Sequence, residues 1–588
     1  MRDKYRWNIS AMYPDENKWN DDFKSVTEAA ENFSRFSGIL GKDSATLLAA
    51  YRERDALWQT AERVYVYARM KRDEDNRDTK YQAMSDKCRT LLARVSSITS
   101  FFSPELLEIP EETLKSFIAG EEGLKTYEFA ILDSLRLKKH VLTKPEEKII
   151  AQYSEITGAT NDIFTMFNNA DIKFNDIIGE DGKETELTHG KYIVFLESHD
   201  RRVRKEAFES MYDAYKKQIN SIASMYNYNT KTDIVMASIR KYDSYLHAAL
   251  AGDNISISVY DNLVNTVNEK LNSLHKYMGL RKKALKTDEL HIYDVYVPLV
   301  KLPKKEIPYD EAVKMVVAGL APLGGDYTSK MSAGLAEGWV DVYERKGKTS
   351  GAYSFGSYDS MPYILMNYTN SLKDVFTLAH ELGHSMHSKY SRESQPYLYG
   401  GHSIFTAEVA STVNEALLME YLAGAEKDPE VKKYLLNMRI EEFRTTVFRQ
   451  TMFAEFERLT HQLIHEGESL TPELLCGEYE KLNRKYFGDE MVIDDEIRYE
   501  WARIPHFYNA FYVYKYATGF SAATAIAEKI IKGGEKEQSD YIKFLRSGES
   551  DHPIELLKIT GIDMSKPEPL TLAMKTFGNL VDEFEKLM

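Results

Sequence analysis

The sequence predicts a mainly α-helical protein, and this prediction rests on sparse helix breakers and on the spacing of apolar residues. Only 31 glycines and 16 prolines occur in 588 residues, so long stretches lack any turn signal. Within those stretches apolar side chains recur every three or four positions, as in helices that bury one face. The predicted helices are 23–35, 45–72, 76–98, 111–120, 145–157, 190–217, 219–239, 257–287, 309–322, 404–424, 429–465, 471–486, 509–533, 536–547 and 569–588.

The length of the chain predicts two lobes, because 588 residues are too many for one compact core. Alternating residues at 171–177, a glycine turn at 179–182 and a second short run at 184–188 predict a β-hairpin. We expect this hairpin to end an N-terminal helical region, residues 1–190. A longer C-terminal region, residues 191–588, follows it.

A small β-sheet is predicted in the middle of the chain. Residues 339–343 and 361–368 have the composition of strands. Gly347, Gly351 and Gly356 mark turns between them. The second strand runs directly into another helical segment, so we expect the sheet to lie beside that helix.

The composition indicates where such a protein works. A net charge of −15 disfavours binding to nucleic acid and to anionic membranes. No stretch approaches the ~18 apolar residues of a membrane span, and the charged first residues are not followed by the apolar segment of a signal peptide. Cys88 and Cys476 lie far apart, which argues against a disulfide framework. We therefore expect a cytoplasmic protein, and nothing in the composition defines its oligomeric state.

The most informative segment is His380-Glu381-Leu382-Gly383-His384, an H-E-x-x-H pattern. Residues i and i+4 share one helix face, so His380 and His384 can direct two imidazole nitrogens at one point. Glu381 lies next to that pair and can reach a water held there. Two neutral nitrogen donors beside a carboxylate form the core of a zinc hydrolase site. The alternative is a surface helix with two solvated histidines.

The surroundings of the motif favour a buried site. Ser371 is a suitable N-cap with Asp374 three residues later, and apolar residues then recur at helical spacing as far as Tyr390. Gly383 is unfavourable inside a helix, and it is easier to explain if another segment packs closely against that turn. A buried pair of neutral histidines needs polar partners, and zinc is a good one.

A catalytic zinc takes three protein ligands and one water, and several residues compete to be the third ligand. A histidine ten residues after His380 would indicate the metzincin class, but that position is Tyr390. His387 lies one more turn along the helix, where a metal held by residues i and i+4 does not reach. We therefore expect His387 to support a ligand or to bind substrate. His402 falls in a predicted loop and is a weaker candidate.

A carboxylate from a second helix is the favoured third ligand. Glu408 follows His384 after enough residues for a helix end, a loop and a return. Glu415 lies two turns beyond Glu408 on the same face. We expect Glu408 to bind the metal and Glu415 to orient a ligand imidazole. A solvated helix carboxylate is the alternative for Glu415.

Four stretches of the chain together resemble one known family. They are 380–387 (HELGHSMH), 405–415 (FTAEVASTVNE), 6–13 (RWNISAMY) and 503–517 (RIPHFYNAFYVYKYA). These motifs are similar to those of the thimet-oligopeptidase-type zinc metallopeptidases, and most similar to the oligoendopeptidase F branch. The resemblance extends from near the N-terminus to at least residue 520.

The resemblance implies a two-lobed helical molecule with a deep central channel, in which 191–588 is the zinc metallopeptidase catalytic region. It implies one Zn²⁺ per chain, held by two histidines and one glutamate. It also implies hydrolysis of internal bonds in short oligopeptides, with a zinc-bound water as nucleophile and Glu381 as general base.

The resemblance also implies where a peptide substrate binds. Gly351, Ala352 and Tyr353 match the family's substrate-facing loop, and residues 363–368 match its edge strand. A peptide would bind there by adding a strand to the sheet.

Residues 506–516 contain one histidine and four tyrosines. Core packing is the simplest interpretation of such an aromatic cluster, but its hydroxyl groups are polar for a pure core. Peptide hydrolysis passes through an oxyanion that hydrogen-bond donors stabilise. In the related family a histidine and a tyrosine of this segment do so. His506 and Tyr514 match them best, and Tyr508 and Tyr512 are the alternatives.

Two other functions are compatible with the sequence. An exopeptidase, such as a dipeptidyl carboxypeptidase on a similar helical scaffold, would need a cationic group for the terminal carboxylate of its substrate. A non-catalytic, peptide-binding helical scaffold would not need Glu381, so the intact motif argues against it.

Overall fold

The protein is described by a computed structural model over residues 4–301 and 306–588. Helices dominate it, as the sequence predicts. In chain order they are α1 Glu16–Phe33, α2 Ser44–Glu74, α3 Thr79–Thr99, α4 Phe102–Glu108, α5 Glu111–Gly120, α6 Glu128–Leu137, α7 Lys144–Thr157, α8 Ala159–Met166, α9 His189–Leu196, α10 Arg201–Lys217, α11 Ile219–Ile239, α12 Tyr245–Ala251, α13 Ile257–Glu269, α14 Leu271–Leu285, α15 Tyr309–Gly319, α16 Gly325–Glu337, α17 Leu372–Ser394, α18 Ile404–Ala425, α19 Pro429–Phe443, α20 Arg449–His465, α21 Pro472–Phe487, α22 Tyr514–Lys532, α23 Glu535–Ser547, α24 Pro553–Lys558 and α25 Glu568–Leu587.

The predicted helices are confirmed as helical segments, with differences at particular positions. The segment predicted at 257–287 is divided into α13 and α14, and the segment predicted at 429–465 is divided into α19 and α20 by a π-helical turn at 444–448. The helix predicted at 190–217 is two helices, because the Asp200 side chain accepts a hydrogen bond from the Arg202 backbone and starts α10 anew. The helix predicted at 509–533 begins only at Tyr514. Phe511 interrupts it with a left-handed φ of 53°, which a continuing right-handed helix does not allow.

The predicted hairpin is confirmed as two short antiparallel strands, β1 Ile177–Ile178 and β2 Glu184–Thr185. Strand β3, Leu290–His291, pairs in parallel with β7, Met491–Val492. Both pairs are isolated, and neither carries a residue of the predicted site.

The predicted sheet beside the H-E-x-x-H helix has three strands, β4 Val340–Asp341, β5 Tyr353–Phe355 and β6 Tyr363–Leu365, in the order β4-β6-β5. Strand β6 runs parallel to β4 and antiparallel to β5. The expectation that 363–368 forms an edge strand is therefore wrong, because β6 is the central strand. Among the described residues, β5 is an edge strand of this sheet.

The chain divides into two compact units, each built from three segments. One contains residues 1–139, 304–422 and 526–562, and the other contains 140–303, 423–525 and 563–588. The boundaries of these units differ from the boundary at residue 190 that the sequence predicts. That boundary stays a prediction about the order of regions along the chain, and the deep channel stays a prediction too.

The first unit contains α17, α18 and the three-stranded sheet. Tyr363 and Leu365 of β6 are buried in a core cluster with Trp7 and Tyr67. Helix α17 packs on β5 and β6 from the other side. The sheet is therefore held between an aromatic core and the helix that carries the motif.

The second unit is organised around α20, which packs against α11, α13 and α21. The rings of Tyr226, Phe456 and Phe507 lie between these elements, with centroids 5.4–6.4 Å apart. This packing anchors the segment before α22, where His506 lies. No helix in the described ranges is both long and apolar enough to cross a bilayer.

Candidate metal centre and surrounding residues

Helix α17 begins at the predicted cap. The Ser371 hydroxyl accepts a hydrogen bond from the Asp374 backbone N–H at 3.2 Å, and Asp374 accepts one from the Ser371 N–H at 3.0 Å. This reciprocal capping box satisfies two N–H groups that the first turn leaves unpaired. It fixes where the helix starts and therefore which residues face β5.

Gly383 lies where the backbone of α18 packs directly against α17, as its position between the two histidines predicts. A Cβ atom at residue 383 would lie 2.5 Å from Cα of Ser411 and 2.7 Å from the Ala410 carbonyl oxygen. The Asn414 amide donates a hydrogen bond of 3.0 Å to the Ala379 carbonyl across the same contact. Only a residue without a side chain fits there.

This contact brings together three side chains that could bind a metal ion, two from α17 and one from α18. Nε2 of His380 lies 3.2 Å from Nε2 of His384. Oε2 of Glu408 lies 3.5 Å from the first of these atoms and 3.9 Å from the second. Among the described residues, these three form the one group whose donor atoms could share a metal ion.

The spacing and chemistry of this group fit zinc. Ligand atoms 2.0–2.1 Å from a tetrahedral zinc are about 3.3 Å apart, and catalytic zinc sites accept two imidazoles and a carboxylate. The two imidazole nitrogens face each other at that spacing. The structure thus brings the predicted donor residues together.

One carboxylate orients the His380 imidazole, and one backbone carbonyl orients that of His384. Oε2 of Glu415 lies 3.3 Å from Nδ1 of His380, which leaves Nε2 directed at the cluster. The Ala407 carbonyl accepts a hydrogen bond from His384. The structure places Glu415 beside the His380 imidazole, and its partly buried side chain is not a solvated helix carboxylate.

Charges around the two imidazoles shift their pKa values in opposite directions. Burial lowers the pKa of His380, but the neighbouring carboxylates, led by Glu415, outweigh burial and raise this pKa to about 9. Burial and the charge on His380 lower the pKa of His384 to about 4. A metal ion needs both nitrogens unprotonated, so its binding would release the His380 proton.

The carboxyl group of Glu381 is buried, with 6% of the residue exposed. The Ser354 backbone N–H on β5 hydrogen bonds to this group, and Oε2 has no hydrogen-bond partner among the described residues. Burial raises the pKa of Glu381 to about 7. A carboxyl group with a pKa near neutrality and one oxygen free can exchange protons readily.

Strand β5 is tied to the same turn of α17 by serine residues that sequence analysis did not single out. The hydroxyl groups of Ser354 and Ser385 lie 2.8 Å apart. On α18, the Ser411 hydroxyl donates to Glu408 Oε2 at 3.3 Å. A signal for Ser411 existed, because it lies three residues after Glu408 and four before Glu415, on the same face of α18. No comparable signal marked Ser354.

Gly351, Ala352 and Tyr353 lie directly before and at the start of β5. Gly351 has a φ of 81°, and its carbonyl oxygen accepts a 2.8 Å hydrogen bond from the Asn367 amide. The Tyr353 hydroxyl donates to Asp73 at 2.9 Å. This turn is therefore held in place at the edge of the sheet.

His387 and His402 lie outside the three-donor group. Their rings stack with centroids 4.5 Å apart, and His387 is 1% exposed. His402 contacts the Ser388 hydroxyl at 3.3 Å. The structure thus links α17 to the loop before α18 through these two imidazoles.

The aromatic segment belongs to the second unit. His506 is exposed and its ring stacks with that of the half-buried Tyr512 at 6.1 Å. Tyr514 is 0% exposed and its ring lies 5.2 Å from Tyr260. Tyr508 stacks on Phe164 at 4.4 Å, and its hydroxyl has no hydrogen-bond partner among the described residues.

Two models of known protein families match this chain. Residues 194–576 match Peptidase family M3, and residues 105–174 match Oligopeptidase F. Oligopeptidase PepF of Bacillus subtilis (strain 168) is 48% identical over 582 residues, which cover 99% of this chain and 87% of the relative.

Two crystal structures are similar along nearly the whole chain. A structure from Chlamydophila abortus has a TM-score of 0.95 and 33% identity, and covers 100% of this chain and 99% of the other. Oligoendopeptidase-F from Enterococcus faecium has a TM-score of 0.76 and 35% identity, and covers 97% and 99%. Since the family match spans more than half of the chain and includes all three donor residues, the chain belongs to peptidase family M3.

Proposed function

We propose that this chain is a zinc-dependent endopeptidase that hydrolyses internal bonds of short oligopeptides. One observation carries the proposal: His380, His384 and Glu408 present three donor atoms beside the buried carboxyl group of Glu381. A metal-scaffold protein would need only the three donors. The buried carboxyl group with a free oxygen is what hydrolysis requires in addition.

His380, His384 and Glu408 would hold one Zn²⁺ per chain. When bound, zinc supplies a Lewis acid that polarises a carbonyl group and lowers the pKa of a water towards 7. Glu381 accepts the proton of the attacking water at Oε2, the oxygen without another partner. It then delivers this proton to the nitrogen of the leaving amine, so the carboxylate is regenerated in each cycle.

Strand β5 is the proposed binding edge for the peptide. Its central residue, Ser354, already reaches Glu381 and Ser385, so a peptide along this strand would have its backbone near the general base. Main-chain hydrogen bonds of this kind accept many side-chain sequences. Gly351, Ala352 and Tyr353 would set where the peptide begins to pair.

His506 and a tyrosine of its segment are the proposed oxyanion donors. Tyr514 matches the family pattern best, but it has no exposed surface. Tyr512 is half-buried and stacks against His506. We therefore propose that His506 acts with Tyr512, and that Tyr514 contributes by packing against Tyr260.

The names of two relatives support short peptides as substrates, because they are an oligopeptidase and an oligoendopeptidase. We propose a cytoplasmic location as well. Cys88 and Cys476 are both free and buried, which suits a reducing compartment.

Metal analysis combined with a peptidase assay tests the proposal. We expect about one zinc per chain, loss of activity after dialysis against a chelator, and recovery on adding Zn²⁺. Retention of full activity in the metal-free protein would contradict a metallopeptidase. Stoichiometric zinc without cleavage of any mid-length peptide would instead indicate a scaffold.

A further inference from the structure

Glu457 is a buried carboxyl group that the proposed mechanism does not use. It lies on α20 in the second unit and is 0% exposed. Oε1 accepts a hydrogen bond of 2.7 Å from the Phe511 backbone N–H. Oε2 has no hydrogen-bond partner, and no lysine, arginine or histidine pairs with this carboxyl group, among the described residues. A buried acid without a counter-charge is unusual and calls for a reason.

Phe511, whose backbone N–H donates to Glu457, has an unfavourable backbone conformation. Phe511 adopts a φ of 53°, a region that residues with a Cβ atom rarely occupy. Its ring is buried between Tyr245, Tyr260 and His461, with centroids 5.8, 5.7 and 4.6 Å away. Strained residues persist where surrounding contacts hold them, and they occur often at functional sites.

The direction of Tyr512 depends on this backbone. Tyr512 follows Phe511 directly, and a change of φ at Phe511 would turn the chain away from His506. We propose that Glu457 is a positioning residue that holds Phe511 in its left-handed conformation and so keeps Tyr512 beside His506. The catalytic part of this inference rests on the proposed oxyanion role of His506 and Tyr512.

The environment of Glu457 allows this carboxyl group to be neutral. Burial raises its pKa well above the ordinary value, the Phe511 N–H opposes this, and the charge of Asp233 adds to it. Asp233 itself lies 3.3 Å from Nε2 of His461. A neutral carboxyl group and a glutamine amide have the same shape, and each accepts a hydrogen bond through a carbonyl oxygen.

Two variants separate the hydrogen bond from the volume of the side chain. Glu457→Gln keeps an acceptor for the Phe511 N–H, whereas Glu457→Met keeps the length and removes the acceptor. Thr451→Val is the matched control, because Thr451 is buried on the same helix and its hydroxyl has no partner among the described residues. Each variant is assayed as the full chain with zinc bound.

Steady-state kinetics give the first readout. We expect Glu457→Met to lower kcat about 30-fold or more while KM changes less than about threefold, since oxyanion stabilisation acts on the transition state. Glu457→Gln and Thr451→Val should keep kcat within about threefold of the wild type. A Met variant with normal kcat, or a Gln variant as impaired as the Met variant, would overturn the proposal.

Hydrogen exchange of the peptide covering 509–514 gives a second readout that does not depend on catalysis. The wild type and Glu457→Gln should protect the Phe511 amide, and Glu457→Met should expose it at least tenfold more. Rapid exchange of this amide in the wild type would overturn the proposal even if the Met variant failed to fold. So would unchanged protection in a folded Met variant.

His506→Ala and Tyr512→Phe in the same assay separate the two hypotheses. If both retain normal kcat while Glu457→Met still exposes the Phe511 amide, the oxyanion assignment fails and the positioning of the segment stands. If both lose kcat while Glu457→Met changes neither readout, the positioning role fails and the oxyanion assignment stands.

Discussion

Gly383 packs directly against the backbone of Ser411. A Cβ atom at position 383 would lie 2.5 Å from Cα of Ser411, closer than two carbon atoms of different residues approach. Because this contact joins α17 to α18, it sets the distance between His380 and Glu408. The glycine within the H-E-x-x-H motif therefore helps to bring the three donor side chains together.

Replacing this glycine should disrupt both stability and metal binding. In Gly383→Ala the new methyl group must push α18 away, which we expect to cost about 1–3 kcal/mol of unfolding free energy and to weaken zinc binding. Gly424→Ala is the matched control, because nothing lies within 4 Å of a Cβ atom at that position of α18. Thermal unfolding and zinc titration of both variants check this, and equal zinc affinity in the two would refute it.

Glu381→Gln should retain zinc and lose turnover. Gln has the shape of Glu but accepts no proton at neutral pH, so we expect kcat to fall by about 10³-fold or more while zinc content stays near one per chain. His384→Ala should lose both its zinc and its turnover. Zinc analysis and peptide hydrolysis measured on the same preparations distinguish these outcomes, and a Gln variant that cleaves peptides normally would exclude Glu381 as the base.

The carboxylates of α18 should differ in their effect on zinc affinity. Glu408→Gln removes a direct ligand and should weaken binding more than Glu415→Gln, for which we expect about a 10–100-fold loss, since Glu415 acts through His380. Glu420→Gln on the same helix is exposed and should have no effect. Competition with a chromogenic chelator measures all three, and equal affinities for the Glu408 and Glu420 variants would reject the ligand assignment.

The oxyanion donors should be separable by mutation. His506→Ala and Tyr512→Phe should each lower kcat about 10²–10³-fold without releasing zinc. Tyr514→Phe keeps the buried ring beside Tyr260 and should lower kcat less than Tyr512→Phe. If Tyr514→Phe has the larger effect, Tyr514 is the donor and its hydroxyl must become accessible during turnover.

The part of the site that lies on regular helices could be predicted from sequence. Helical periodicity places His380, Glu381 and His384 on one turn, and a spacing of seven residues places Glu408 and Glu415 on one face of α18. Both inferences need only a spacing of 3.6 residues per turn. The close packing at Gly383 followed from the poor helix propensity of glycine.

The features that were missed depend on tertiary contacts. Strand β6 is central because β4 pairs with it in parallel after a long connection, and nothing in a short apolar run distinguishes a central strand from an edge strand. The helix predicted from 509 begins late because Glu457 and the surrounding rings hold Phe511 in a left-handed conformation. Neither the position of β6 in the sheet nor the conformation of Phe511 can be predicted from local helix or strand propensity.

We propose that the site on α17 and α18 cleaves internal peptide bonds. The most direct test of this proposal is the mass spectrum of products from a mid-length peptide acetylated at its N-terminus and amidated at its C-terminus, because these blocked ends remove the groups that exopeptidases recognise. We expect paired internal fragments from the zinc-loaded wild type and none from Glu381→Gln. An intact blocked peptide alongside terminal trimming of the unblocked peptide, or equal cleavage by the Gln variant, would contradict the proposal.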